Sequence, residues 1–320
     1  MGNYKYIGKF ISFCMIRSSR TYVSRLFWYS NTVTAFHVPG VYLRLNLMVN
    51  LLETYETVQD QQYFPSSVYY RRFTIIIPAY NEEKRIGPVL EEICNFIRSS
   101  GLPWDVIVSI DGNDSTDLVV ESMKNDFPFL DYIKNRGRNG KGGAIKRAVN
   151  IASCEFIILM DADGSVSLES VIGAIDQMEF YDVIVFDRYS SPENSIPVMR
   201  RFASRGFNVL LRALMGIRVN DTQCGYKIMR ADYAKDAFDK ISVSNTFFDV
   251  ALLYYMKKRG ARSVEIPVRY RHDGGSKFNL IAEILGQGSS LLAFRIRNSR
   301  FYRYVPEKII RLYYKKFRWI

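Results

Sequence analysis

Histidine is nearly absent: His37 and His272 are the only two in 320 residues. A histidine-based catalytic triad or a histidine-rich metal site therefore has too few members. Cysteine is sparse as well, and Cys14, Cys94, Cys154 and Cys224 show no CxxC spacing. That argues against a disulfide framework or a zinc site and fits a reducing compartment. There is no GxGxxG after the first central strand and no GxxxxGK[ST], which disfavours dinucleotide binding and P-loop chemistry. No uninterrupted apolar run reaches the ~18–20 residues of a membrane-spanning helix. Near the N-terminus, Lys5, Lys9 and Arg17 interrupt the apolar stretch. No signal peptide is expected, because that stretch is short and no small-residue cleavage site follows. A protein of this kind that meets a membrane is expected to lie on it.

The sequence does hold enough apolar material for a core. Hydrophobic residues make up 48% of the chain, which excludes wholesale disorder. The length suits one large α/β domain with appended segments, or two modest domains. The net charge of +12 is unevenly placed. Residues 1–72 carry eight Lys/Arg against three Asp/Glu, and residues 295–320 carry nine against Glu307 alone. The centre, 73–294, is close to neutral. Basic ends of this kind suit an anionic surface, either phospholipid head groups or nucleic acid.

Residues 1–71 are rich in Tyr, Phe, Val and Leu without clear periodicity. A helix is expected around 42–55, and 59–67 reads as a polar linker. From Arg72 the pattern changes. An apolar run from Phe73 ending at Pro78 marks a buried parallel strand. Residues 84–99 read as an amphipathic helix, with Ile86, Leu90, Ile93 and Ile97 at helical spacing. Strands are expected at 105–110, 130–133, 155–160 and 182–186, with helices through Val119 and Met123, at 142–151 and at 168–178. This β-α-β-α-β-α-β order predicts a parallel or mostly parallel twisted sheet. Ligands bind such sheets beyond the carboxyl ends of the strands. The polar segments 78–82, 111–117, 161–165 and 187–190 all fall there.

Asp161-Ala162-Asp163 places two carboxylates one residue apart at the end of a buried strand. They can reach a common point, and a hard cation such as Mg²⁺ or Mn²⁺ favours such oxygen ligands while leaving positions open for phosphates. The competing reading is a turn whose Asp residues cap a helix. Lys141-Gly142-Gly143-Ala144 opens a helix, where backbone N–H groups and a cation can meet an anion. The alternative is a loop that needs positive φ. Cys224 reads as a packed small residue rather than a nucleophile, and His272, between Arg271 and Asp273, as a solvated loop residue.

Several segments together resemble the family 2 glycosyltransferases, which have the GT-A fold. They are Phe73-Thr-Ile-Ile-Ile-Pro-Ala-Tyr-Asn-Glu-Glu83, Asn135-Arg-Gly-Arg-Asn-Gly-Lys-Gly-Gly-Ala144, Met160-Asp-Ala-Asp-Gly164, Asn220-Asp-Thr-Gln-Cys-Gly-Tyr-Lys227, Phe248-Asp-Val-Ala-Leu-Leu253 and Gly275-Ser-Lys-Phe278. Within that family they are similar to the branch that glucosylates or mannosylates dolichyl phosphate, and the likeness spans about 72–300. Two places depart from the pattern: Ile110-Asp111-Gly112-Asn113 stands where Asp-Asp-Gly-Ser is usual, and Ala251 where an acidic residue is common.

The resemblance implies an α/β, GT-A-type, Rossmann-like sheet over 72–279, an extension of unknown role over 1–71, and a basic amphipathic segment over 280–320. It implies that Pro78, Tyr80, Glu82, Asp111, Lys141, Asp161 and Lys277 bind the nucleotide-sugar, with Asp161 and Asp163 holding Mg²⁺ or Mn²⁺. Ser165 stands where some relatives use Gln. Arg188, Arg200 and Ser204 would hold the acceptor phosphate, and Asp163, Arg188 and Arg200 would serve catalysis. The reaction implied is inverting transfer of a hexose, glucose favoured, from a UDP-sugar or GDP-sugar to dolichyl or polyprenyl phosphate, for glycan assembly such as protein N-glycosylation. A phosphate nucleophile is already anionic and needs no strong base, which suits a chain so poor in histidine. The C-terminal segment, with Leu285, Leu291, Leu292, Phe294 and Ile296 followed by interleaved aromatics and Arg/Lys, fits an anionic membrane surface or simple packing on the domain. The implied location is the cytoplasmic face of the endoplasmic reticulum in a eukaryote, or of the plasma membrane in an archaeon or bacterium. Three other readings stay open: a transferase with a soluble or protein acceptor, a nucleotidyltransferase, and a basic nucleic-acid-binding protein. The near-neutral centre with its paired aspartates speaks against the last, and no nucleic acid is expected as partner.

Overall fold

The structure, a computed structural model, describes residues 10–18, 21–29, 70–135, 137, 140–194, 196–241, 247–271, 280–306 and 308. The chain divides into two compact units, Met1–Tyr63 and Phe64–Ile320. In the first, β1 (Phe10–Ser18) pairs antiparallel with β2 (Thr21–Tyr29), from Phe10 opposite Tyr29 to Ser18 opposite Thr21. The aperiodic sequence gave no sign of this hairpin. The helix expected at 42–55 lies outside the described residues, as do His37, His272 and Lys277.

The second unit is built on a seven-stranded sheet. Its apolar run forms β3 (Phe73–Tyr80), followed by α1 (Ile86–Ser100), β4 (Asp105–Asp111), α2 (Thr116–Lys124) and β5 (Leu130–Lys134). Then come α3 (Gly140–Ile151), β6 (Phe156–Leu159), α4 (Leu168–Ile172) and β7 (Val183–Asp187). The remaining elements are α5 (Val198–Met215), β8 (Lys227–Arg230), α6 (Ala231–Lys240), α7 (Phe248–Arg259), β9 (Ser263–Pro267) and α8 (Leu280–Arg297). The strand order is β5-β4-β3-β6-β8-β7-β9. Only β8 runs antiparallel, between β6 and β7, so the sheet is mostly parallel as expected. The carboxyl ends of β3, β4, β6 and β7 therefore share one edge.

One element is shorter than the apolar spacing predicts. The helix at 168–178 stops at Ile172 and resumes as a 3-10 turn over Ile175–Glu179. Gly173 sits at the break, and glycine weakens a helix interior by about 1 kcal/mol relative to alanine.

Side chains alternate across the sheet, as the pleat requires. Ile75, Ile77, Val106, Val108 and Ile158 pack on one face; Ile76, Ile107, Ile157 and Leu159 pack on the other. On α8, Leu291 and Phe294 are buried while Leu292 and Ile296 are exposed. Phe294 packs edge-on against Tyr254 and Tyr255, with ring centroids 5.3 and 5.7 Å apart. The amphipathic C-terminal segment thus joins the core with one face; residues 309–320 lie outside the described part.

Ile158 has no exposed surface and sits in β6, the strand that leads into Asp161. Ile158→Ala is expected to lower stability by about 2–5 kcal/mol, through lost transfer energy and an unfilled cavity. Urea unfolding followed by circular dichroism measures this.

Candidate active site

The loops after β3 and β4 interlock at the shared edge. Asn81 adopts a left-handed backbone, φ 57°, and its Oδ1 accepts the Asn113 N–H at 3.0 Å. Gly112 has φ 135°, and a Cβ there would lie 2.3 Å from that same oxygen. The position needs glycine for both reasons. Glu82 N–H donates to Thr116 Oγ1, Glu83 N–H to Asp114 Oδ2, and Ser115 N–H to Glu83 Oε2, each at 3.0 Å. A cleft of about 550 Å³ lies along Asn81, Glu82, Glu83, Arg85, Asn113 and Asp114. Pro78 lies in β3 opposite Ser109, and Tyr80, half-exposed, lies opposite a buried Asp111. The Glu82 carboxylate is gripped on both oxygens by Arg85, at 2.9 Å each.

Asp161 lies two residues past the end of β6. Lys141, in the first turn of α3, donates from Nζ to Asp161 Oδ1 at 2.5 Å. Burial alone would raise the Asp161 carboxyl. Lys141, by charge and hydrogen bond, and then the charges of Arg188 and Lys227, outweigh it and hold the group below the usual carboxylate range. Burial likewise opposes the charge on Lys141, yet Asp161 and Asp249 lift its pKa above the ordinary value. Gly225 packs against the other side of Asp161: a Cβ there would meet Asp161 Oδ2 at 1.9 Å. Asp163 turns to cap its own loop, its Oδ1 accepting the Ser165 N–H at 3.0 Å.

Arg188, just past β7, forms a forked ion pair with buried Asp221, Nε to Oδ2 at 2.7 Å and Nη2 to Oδ1 at 2.9 Å. Its backbone N–H also reaches Asp221 Oδ2, at 3.1 Å. Against the effect of burial, Asp221 raises the guanidinium pKa well above its ordinary value. Asp221 is held in turn by Glu265 of β9, whose Oε1 accepts the backbone N–H groups of Asn220 and Asp221 at 2.5 and 3.2 Å. Arg188 is therefore built into a network rather than standing as an isolated cation.

Sequence reasoning passed over Tyr189. Its hydroxyl pKa is raised by burial and by Asp221, and lowered in part by Arg188, by a hydrogen bond with Ser204 and by Arg200. Tyr189 thus stands among the three residues expected to hold an acceptor phosphate. Its neighbour in sequence, Arg188, was the only signal. Burial pushes the Cys224 thiol up to about 12, consistent with packing rather than nucleophilic chemistry.

Asp161 and Asp163 offer the oxygen donors that a hard divalent ion takes. Mg²⁺-type ions are commonly held by one or two carboxylates and completed by water and substrate phosphates. Two carboxylates at a strand end, one of them held ionised, fit that pattern. Among the described residues no group of three or more His, Cys, Asp and Glu can hold a metal by itself. The site fits an ion shared with a bound diphosphate, not a resident protein cage.

A profile of glycosyl transferase family 2 matches residues 74–238. A dolichyl-phosphate beta-glucosyltransferase of Trichomonas vaginalis is 30% identical over 233 residues, covering 68% of this chain and 68% of the relative. One of Dictyostelium discoideum is 24% identical over 262 residues, covering 74% and 80%. Among solved structures, the Mycobacterium tuberculosis glucosyl-3-phosphoglycerate synthase in complex with Mn²⁺, UDP-glucose and glycerol 3-phosphate superposes with a TM-score of 0.52. It is 16% identical, over 70% of this chain and 79% of that one, and the likeness is one of fold.

The Lys141–Asp161 pair predicts a definite pH signature. A depressed Asp161 pKa contributes stability above the ordinary carboxylate value, about 4, and loses it as pH falls through the folded value. The raised Lys141 pKa contributes below the ordinary value, about 10.4, and loses it as pH rises through the folded one. Melting temperatures of the native chain and Lys141→Met should therefore differ most between those limits and converge in acid and in strong base. A constant difference at all pH values would contradict the pairing.

Proposed function

The chain belongs to glycosyl transferase family 2, and from that premise we propose that it transfers glucose from UDP-glucose to dolichyl or another polyprenyl phosphate, with inversion at the anomeric carbon. The sugar and the acceptor follow the names of its relatives, and the donor is the nucleotide-sugar bound in a neighbour of the same fold.

One observation favours a lipid acceptor over a soluble one. Helix α5 carries Arg200 and Ser204 on the stripe that continues to buried Asn208, Leu211 and Met215. Its opposite face exposes Val198, Met199, Phe202, Val209 and Leu210. From Val198 to Arg218 the chain has five arginines and no acidic residue; from Gly286 to Tyr304 it has four arginines and none. The outer face of α8 adds exposed Leu292 and Ile296. Exposed apolar side chains rimmed by arginine suit the interface of an anionic bilayer. Among the described residues no helix is long and apolar enough to cross a membrane. We assign the enzyme to a membrane surface, the cytoplasmic face on this reading.

The chemistry joins two anions. Arg200, Ser204 and Tyr189 would orient the acceptor phosphate, with Arg188 fixing that corner through Asp221. Lys141, at the N-terminus of α3, would meet the donor diphosphate. Asp161 and Asp163 would hold a divalent ion, Mg²⁺ or Mn²⁺, which supplies charge neutralisation to the departing nucleotide diphosphate. The acceptor oxygen is already ionised, so no base is needed.

The test is an assay of the full chain with Mn²⁺ or Mg²⁺, dolichyl phosphate, and UDP-glucose, UDP-GlcNAc or GDP-mannose. Glucolipid from UDP-glucose is expected, and no glycolipid from any donor would sink the proposal. Loss of a residue that merely supports a metal ligand costs about 10–100-fold, so Asp163→Asn should cost at least that. Phe202→Asp should lower turnover of acceptor in anionic vesicles and spare turnover in detergent.

A further inference from the structure

Lys227 is a charged side chain with no exposed surface, and its partner Asp249 is almost as deeply buried. Lys227 Nζ donates to Asp249 Oδ1 and to the carbonyl oxygen of Cys224, each at 2.5 Å. Stability alone does not explain this arrangement. Desolvating two charges offsets most of their attraction, and apolar residues of similar volume often replace such a pair without loss. An apolar side chain cannot, however, bridge a carboxylate and a carbonyl.

The bridged carbonyl belongs to the turn that meets Asp161. The next residue, Gly225, lies so close to the Asp161 carboxylate that no side chain fits. The one after it, Tyr226, donates from its hydroxyl to the Asp161 main-chain oxygen at 3.4 Å. Asp249 stands in the first turn of α7 beside Phe248, which packs on the second support of the same carboxylate. A Cβ on Gly142 would come within 2.7 Å of Phe248 Cβ, and Lys141, one residue earlier, holds Asp161 Oδ1. The start of α7 thus braces Asp161 from both sides.

We propose that Asp249 and Lys227 are positioning residues for Asp161, holding the Cys224–Gly225 turn so that the carboxylate faces the donor diphosphate and its ion. Neither touches substrate. The inference rests on the reading of Asp161 and Asp163 as the ion-binding pair, and adds the two groups behind them. It explains why the buried pair is ionic: the ammonium carries the geometry of one loop to a carboxylate on another.

The test is Mn²⁺ binding in the presence of UDP, followed by electron paramagnetic resonance, with melting temperature measured alongside. The double substitution Lys227→Met/Asp249→Leu removes both charges together and leaves neither buried alone. It should keep the melting temperature near that of the native chain and weaken Mn²⁺ by about 10–100-fold, the range for lost support behind a ligand. Ile97→Ala, a destabilising change in the core of α1, should leave Mn²⁺ affinity unchanged. Native affinity in the folded double variant would overturn the inference. If the double variant does not fold, Asp249→Asn decides in the same way. Failure of the native chain to bind Mn²⁺ with UDP would remove the ion-binding reading and this inference with it, which separates the two failures.

Discussion

The contact on which the site depends is the packing of Gly225 against the Asp161 carboxylate. The two residues come from different strands' ends, 64 positions apart, and no side chain can stand between them. Three ion pairs gather around the turn that makes this contact: Lys141 with Asp161, Arg188 with Asp221, and Lys227 with Asp249. Each joins a separate pair of elements. Alternating charges of this kind keep one carboxylate ionised in a largely buried setting, where burial alone would favour its protonation. A catalytic pocket that must hold two substrate anions needs such a framework before either arrives.

The sheet explains why these residues meet. With β8 inserted antiparallel between β6 and β7, the turn 221–225 enters the sheet beside Asp161 and Arg188, at the edge where the parallel strands end. Much of this was legible in the sequence. The buried run at Phe73, the helical spacing of Ile86, Leu90, Ile93 and Ile97, and the aspartates following an apolar strand are local signals, and local signals survive in a one-dimensional reading. Ion pairs between residues 20 to 33 positions apart do not. Arg188 resembled a site residue and Asp221 lay within a segment that matched the family; nothing in the spacing said that they hold one another. Gly173 cut short a helix that the apolar pattern alone extended, and the β1–β2 hairpin carried no periodicity to find.

Helix α5 shows how one element serves two solvents. Its inner stripe carries Arg200 and Ser204, the residues proposed for the acceptor phosphate, and Leu211 and Met215, which are buried in the core; its outer stripe is apolar and free of acid. A phosphate attached to a long hydrocarbon poses the same demand, one polar end and one that must stay out of water. The sequence suggested a basic amphipathic C-terminal segment for that task. The structure divides that segment: Leu291 and Phe294 pack inside while Leu292 and Ile296 face outward, and α5 packs against α8.

In the proposed reaction an ionised lipid phosphate attacks the anomeric carbon of a nucleotide-sugar from the face opposite the leaving diphosphate. Carbon-13 NMR of the glycolipid formed from UDP-glucose labelled at C1 tests it most directly. Because the donor is α-linked, the expected product is a β-linked glucosyl phosphate. An α-linked product would contradict in-line displacement, and label found only as free glucose would contradict a phosphate acceptor.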